Sequence, residues 1–380
     1  MPRRLFRYAA LGLMSATLAG GVAAARATPL VHDIVIRRVM LYDGSGAAPA
    51  AGEVAIDGDR IVFVGRHAPG HGKIEIDARG KAVAPGFINM LAHPEESLFA
   101  DGRAQSDVRQ GVTLEVLGED SMGPLNAAMQ ELVAKRQADI HYPVSWSTLG
   151  EYLETLERRG IAPNLASTVG AATVRTFVLG EGDVQPTPEQ LATMRQLVRQ
   201  AMEQGALGLS TALIYSPGSY ATTAEVAALA AESSACGGIY LSHMRSEGDR
   251  LLEGVEELIE IARLSGAPAE IYHLKAAGKQ NWGKLDALIA RVEKANAHGI
   301  RITADMHTYT AGATGLDAAM PPWVQDGGLE AWIEHLKDPA TRARVLAEMR
   351  DPTPAWENLE QHAGADGTLL LAFKNPASSP

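Results

Sequence analysis

Apolar and polar positions follow three different rhythms along the chain. Between residues 28 and 85 they alternate in short runs: Asp33-Ile34-Val35-Ile36-Arg37, Val39-Met40-Leu41-Tyr42, Glu53-Val54-Ala55-Ile56, Arg60-Ile61-Val62-Phe63-Val64 and Lys73-Ile74-Glu75-Ile76-Asp77. A period of two marks strands with one covered face. Asp57-Gly58, between two of the runs, marks a hairpin turn. The pattern predicts a small N-terminal β-sandwich, thin for an independent core.

Residues 86–310 switch between short apolar runs and segments of helical period. Thr187-Pro188-Glu189-Gln190 is a capping box with Pro at the first helical position. Leu191, Met194, Leu197, Val198 and Ala201 then share one face, and Gly205 stops the helix. A helix opens at Thr223 and ends at Gly237-Gly238. Leu251, Leu252, Val255, Leu258, Ile259 and Ala262 face inward on the next, stopped by Gly266; Leu285, Leu288, Ile289 and Val292 do so on another, ended by Gly299. Strands are predicted at Val83–Met90, Thr113–Gly118, Leu165–Gly170, Leu207–Ser210, Ile239–His243, Glu270–His273 and Ile302–Asp305. Ser210, His243, His273 and Asp305 end successive strands 33, 30 and 32 residues apart, with one helix in each interval. That is the period of repeated βαβ units, which set the carboxyl ends of parallel strands on one rim. The fold class is therefore α/β, a (β/α)8-type barrel with seven strands in view and a small N-terminal β module. Residues 311–380 are irregular, with a polar helix near Leu329–Met349 and a possible last strand at Leu369–Phe373.

The first 27 residues stand apart. Arg3, Arg4 and Arg7 precede an apolar stretch from Tyr8 to Leu18, and Ala25-Arg26-Ala27 is an A-x-A cleavage pattern. This reads as a secretory signal peptide too short and interrupted to serve as a span, with a weak twin-arginine character in Arg3-Arg4-Leu5-Phe6. A soluble periplasmic or secreted protein is expected, with no membrane association after cleavage.

Of the 380 residues, 46% are hydrophobic and 21% charged, a balance that excludes a disordered chain. A net charge of −11 argues against a nucleic-acid partner. The single cysteine, Cys236, excludes an internal disulfide and reads as a small buried residue at a helix end.

The strand ends carry the chemistry. His243 and His273, on adjacent parallel strands, can aim two imidazoles at one point, the donor type that Zn²⁺ takes with an open position for water. Glu119 and Asp120, after the second strand, offer a carboxylate ligand, although Asp120 also suits a helix N-cap. His93, after the first strand, is a further ligand, a substrate contact or a solvated loop residue. Arg245 and Lys275 each lie two residues beyond a histidine and can hold an anionic group or simply face solvent. Tyr215 and Tyr309 follow strands and can donate to an oxyanion or pack. Asp305 is a weak candidate for a proton acceptor.

The chain resembles the N-acyl-D-amino-acid deacylases (D-aminoacylases) of the amidohydrolase superfamily. The resemblance runs from about residue 30 to 376 and rests on several segments in order. These are Ala84-Pro85-Gly86-Phe87-Ile88, Gln110-Gly111-Val112-Thr113, Gly205 to Tyr220, Ser242 to Asp249, His273-Leu274-Lys275, Asn281-Trp282-Gly283-Lys284 and Thr303 to Gly312. It implies a β-sandwich plus (β/α)8 barrel and hydrolysis of the amide of a small N-acyl amino acid. It also implies His243 and His273 as zinc ligands, with Arg245, Lys275, Tyr215 and Tyr309 as substrate contacts. There are three departures. The family's first-strand H-x-H here reads Leu91-Ala92-His93, which implies one zinc rather than two. Asp120, beside Glu119, replaces the family's zinc-binding Cys. The family's catalytic Asp belongs to an eighth strand beyond this sequence, so the resemblance is C-terminally short. The alternative to an enzyme is an impaired or non-enzymatic, ligand-binding relative.

Overall fold

The computed structural model describes residues 30–352 and 354–371. The signal-peptide expectation for residues 1–27 lies outside them, as do residues 372–373 of the possible last strand; residues 369–371 are not in a strand. Compact units divide between Pro85 and Gly86.

The N-terminal unit is one mixed sheet. Strands β1 (Val31–Leu41), β2 (Ala50–Asp57), β3 (Arg60–Gly65) and β4 (His71–Asp77) lie in the order β3-β2-β1-β4, and β5 (Ala82–Val83) pairs with the far end of β1. The Asp57-Gly58 signal makes the β2–β3 hairpin, with Asp57 opposite Arg60 and Gly58 at φ 57°. Val35, Ala55 and Ala68 form its small buried cluster. The expected sandwich is thus present as a single layer among the described residues, and Ile61, Val64, Ile74 and Ile76 remain exposed.

The second unit is built on parallel strands: β6 (Phe87–Ala92), β7 (Val112–Leu117), β8 (Asn164–Ser167), β9 (Val169–Gly170), β10 (Gly208–Ala212), β11 (Ile239–His243), β12 (Ala269–Leu274) and β13 (Ile302–Met306). β6-β7-β8 and β9 through β13 are hydrogen-bonded in sequence order, and only Thr168 separates β8 from β9. Counting β8 and β9 as one interrupted strand gives the seven anticipated. No ladder joins β13 to β6 among the described residues.

Helices cover this sheet where the sequence placed them. Thr187 caps Pro188–Glu203 with both capping-box bonds formed, and Met194, Val198 and Ala201 are buried. Leu251, Val255, Leu258, Ile261 and Ala262 line the buried face of Leu251–Ser265. With Leu209, Tyr240 and Ile271 of the strands they belong to one continuous core. The polar helix expected near residues 329–349 is two helices, Gly328–Lys337 and Pro339–Met349. Pro339 starts the second at its first position, where a missing N–H costs nothing. Cys236 is exposed, because it caps the helix Thr223–Ala235 at its open end. No helix of the described residues is long and apolar enough to cross a membrane.

Candidate metal centre

Three ligand-capable side chains meet at the carboxyl rim: one atom each of Glu119, His243 and His273 lies within 4.8 Å of the others. Each comes from the end of a different strand. His243 closes β11 and is buried. His273 lies in β12 where the register with β13 shifts between Ile271 and Leu274, and its φ is 37°. Glu119 follows β7 at φ 68°. Non-glycine residues in this region are strained and persist where their surroundings hold them. Here they are held. The Asp305 carboxylate accepts the His273 backbone N–H. Ser210 Oγ donates to the Glu119 carbonyl at 3.0 Å and accepts from Thr168 Oγ1 at 2.6 Å. Gly118, just before Glu119, has no room for a Cβ, which would collide with the Tyr272 hydroxyl.

The rings of His243 and His273 stand perpendicular, with centroids 4.6 Å apart. His243 Nδ1 lies 2.9 Å from Glu119 Oε1, and His273 Nε2 lies 3.1 Å from the same oxygen. Ligand atoms around a tetrahedral zinc sit about 3.4 Å apart for bonds of ~2.0–2.2 Å. The cluster is of that size, and its set of two nitrogens and one oxygen suits the ion. Burial works against the Glu119 charge, but hydrogen bonds from the two histidines outweigh it and hold the carboxyl well below the ordinary range. Burial likewise works against protonated His273, but Glu119 and Glu247 hold its pKa up at about 9. The pocket favours positive charge where a cation would sit.

Of the two adjacent acids, Glu119 enters the cluster and Asp120 does not. Asp120 is crowded by protein atoms yet open to water. That crowding, then the neighbouring Glu119 charge, pushes its pKa up to about 6. His93 stands at the margin, with Nε2 3.9 Å from Glu119 Oε2 and Nδ1 3.8 Å from Glu95 Oε1. Asp305 has one oxygen committed to the His273 backbone, and burial raises its pKa. Lys275 Nζ donates to Glu247 at 2.7 Å and lies 2.8 Å from His273 Nδ1. Tyr215 packs edge-on to His243 at 5.5 Å and shares a hydrogen bond with Thr314 Oγ1. Burial pushes its phenol up to about 12. Tyr309 is 77% exposed, edge-on to His307.

Arg245 is spent elsewhere. It forks onto Glu257 at 2.8 and 3.0 Å and donates to the carbonyls of Ser219 and Ala221. It therefore braces the loop after β10 against the helix Leu251–Ser265 instead of presenting a free guanidinium. Sequence reasoning passed over Glu247, which is buried against both histidines and Lys275. The signal available was an acid four residues after His243 in the Ser242–Asp249 segment.

No family model matches the chain. It is 30% identical over 282 residues to an N-acyl-D-glutamate deacylase of Alcaligenes xylosoxydans xylosoxydans, and 32% identical over 284 residues to a D-aminoacylase of the same organism. Each match covers 74% of this chain and 58% of the relative. A crystal structure of D-aminoacylase superposes with a TM-score of 0.67 at 30% identity, covering 74% of this chain and 59% of that one. The N-acyl-D-glutamate deacylase of Bordetella bronchiseptica, solved with zinc and a phosphonate mimic of the tetrahedral intermediate, superposes at 0.66 with 27% identity, covering 73% and 59%. The chain spans a little under three fifths of the length of these relatives. With the strand-end geometry and these matches together, the chain is similar over 74% of its length to the N-acyl-D-amino-acid deacylases (D-aminoacylases) of the amidohydrolases.

Proposed function

We propose that the chain is an exported, zinc-dependent amidohydrolase that cleaves the amide of N-acyl-D-amino acids, with one zinc held by His243 Nδ1, His273 Nε2 and Glu119. The observation that carries this reading is the convergence of those three atoms at the rim of a parallel sheet, in a relative of deacylases. The chemistry such an ion supplies is activation of water near neutral pH and polarisation of the amide carbonyl.

The chain's own residues do the rest. Glu119 is ionised at neutral pH and brings the negative charge. Asp305 fixes the His273 backbone, and Ser210 fixes that of Glu119. This reading gives the substrate to Tyr215, which packs against His243, and to Lys275, which lies against His273. Export rests on the sequence of residues 1–27 and is checked by the N-terminus of the mature protein.

The test is amine release from N-acetyl-D-glutamate, N-acetyl-D-aspartate and a neutral N-acetyl-D-amino acid, before and after chelation. Turnover lost on chelation and restored by zinc is expected. A second reading, a zinc-holding chain impaired in hydrolysis, is favoured by the engagement of Asp305, which leaves that acid tied to a backbone N–H. Stoichiometric zinc with no turnover of any of the three amides would select it.

A further inference from the structure

The two histidines turn different nitrogens toward Glu119, Nδ1 of His243 and Nε2 of His273. Their remaining nitrogens, Nε2 of His243 and Nδ1 of His273, face one carboxylate. Glu247 Oε1 lies 2.9 Å from His273 Nδ1, and Glu247 Oε2 lies 3.4 Å from His243 Nε2. That Nε2 is buried and makes no aligned hydrogen bond among the described residues, so its contact with Glu247 is one of charge. Glu247 is itself buried and fixed from several sides. Its N–H donates to Glu357 Oε1 at 3.2 Å, its carbonyl accepts from the Ala277 N–H at 2.8 Å, and its side chain accepts from Lys275 Nζ. Ser246 Oγ holds the other Glu357 oxygen at 2.6 Å.

We infer that Glu247 is the positioning residue of the metal centre, a single carboxylate whose charge sets the tautomer of both ligand histidines. The inference rests on the zinc reading above. A neutral imidazole carries one proton. For His243 to present a lone pair at Nδ1 its proton must sit on Nε2; for His273 to present one at Nε2 its proton must sit on Nδ1. An ionised carboxylate can only accept, so the Glu247 charge, 2.9 Å from His273 Nδ1 and 3.4 Å from His243 Nε2, favours a proton on each of these nitrogens. In that state His273 Nδ1 donates to Glu247 and cannot accept from Lys275, whose ammonium keeps its bonds to Glu247 and to the His273 carbonyl. Carboxylates behind metal-bound histidines act in this way, and their loss costs 10–100-fold in metal affinity.

Glu247→Gln is the informative change. It keeps the shape but turns an NH₂ donor toward one of the two nitrogens, which favours the wrong tautomer there. In the full chain, zinc affinity by competition with a chromophoric chelator should fall about 10–100-fold in Glu247→Gln, and the visible spectrum of the Co²⁺-loaded protein should shift. Zinc affinity within twofold of wild type and an unchanged cobalt spectrum would overturn the assignment. A wild-type chain that takes up no zinc would overturn the zinc reading as well, so the two failures are distinct. A measurement on the wild type covers the case of a variant that does not fold. The ¹⁵N spectrum of zinc-loaded protein should show His243 protonated at Nε2 and His273 at Nδ1; the opposite tautomer at either residue refutes the inference.

Discussion

The middle of the parallel sheet and its two outer strands are built from similar residues and end in different states. Every residue of β10 and four of the five in β11 are buried. On β6, by contrast, Phe87 and Ile88 are exposed, as is Met306 on β13. Rim residues inherit this difference. His243, on a middle strand, is packed between Tyr215, His273 and Glu247. His93, beyond an outer strand, has a side chain 56% exposed and stands 3.9 Å from the acid that His243 touches at 2.9 Å. A histidine at a strand end becomes a fixed ligand only where helices and neighbouring strands immobilise the strand that carries it.

The sharpest way to break this comparison is to exchange the roles of the two histidines. His243→Ala should abolish stoichiometric zinc, and amide turnover with it, whereas His93→Ala should keep the ion. Metal content after desalting decides; zinc lost from His93→Ala and kept by His243→Ala would invert the assignment. The next effect is on stability. Leu258, 2% exposed on the helix packed over the middle strands, should cost about 2–5 kcal/mol when cut to Ala. Ile88, 55% exposed, should change stability by no more than about 0.5 kcal/mol. Urea midpoints measure both, and a cost at Ile88 as large as at Leu258 would show that this edge is covered in solution. A smaller effect joins the two regions. Asp305, on the outer strand β13, holds the strained His273 backbone of β12. Asp305→Ala should cost about 1–3 kcal/mol for the stranded N–H and weaken zinc binding, while Asp305→Asn keeps an acceptor oxygen and most of the affinity. Equal zinc affinity in wild type, Asp305→Ala and Asp305→Asn would remove Asp305 from the support of the site.

What the sequence revealed follows the same division. The strand–helix alternation was legible because its signals are local: the Thr187 box, the glycine stops and the apolar faces at helical spacing. His243 and His273 were legible because each ends such a strand one βα unit from the other. Glu119 could not be told from Asp120, since the choice depends on a backbone at φ 68° whose carbonyl Ser210 holds from across the fold. Arg245 read as a rim cation because its partner, Glu257, lies in the following helix, where pattern does not show a salt bridge. Glu247 was missed because its aim is set by Glu357, 110 residues away.

The smallest effect concerns an acid at the border of the two regions. Glu115 of β7 pairs with Asn89 of the outer strand on one side and Leu165 on the other. It is buried, and neither of its oxygens meets a hydrogen-bond donor among the described residues. Burial raises its pKa above the usual glutamate value, with Asp107 and Glu95 adding to the shift. The folded state therefore binds this proton more tightly than the unfolded chain. Stability from this group is present at low pH and lost as pH rises from the ordinary glutamate range through the raised folded value. Glu115→Gln cannot titrate. Its stability relative to wild type should climb as pH goes from 4 to 7, whatever the amide itself costs in that site. Urea denaturation of both proteins across that range gives the slope. A constant or falling difference would mean that Glu115 finds a partner in solution, and that the packed interior extends further toward the outer strand than the comparison allows.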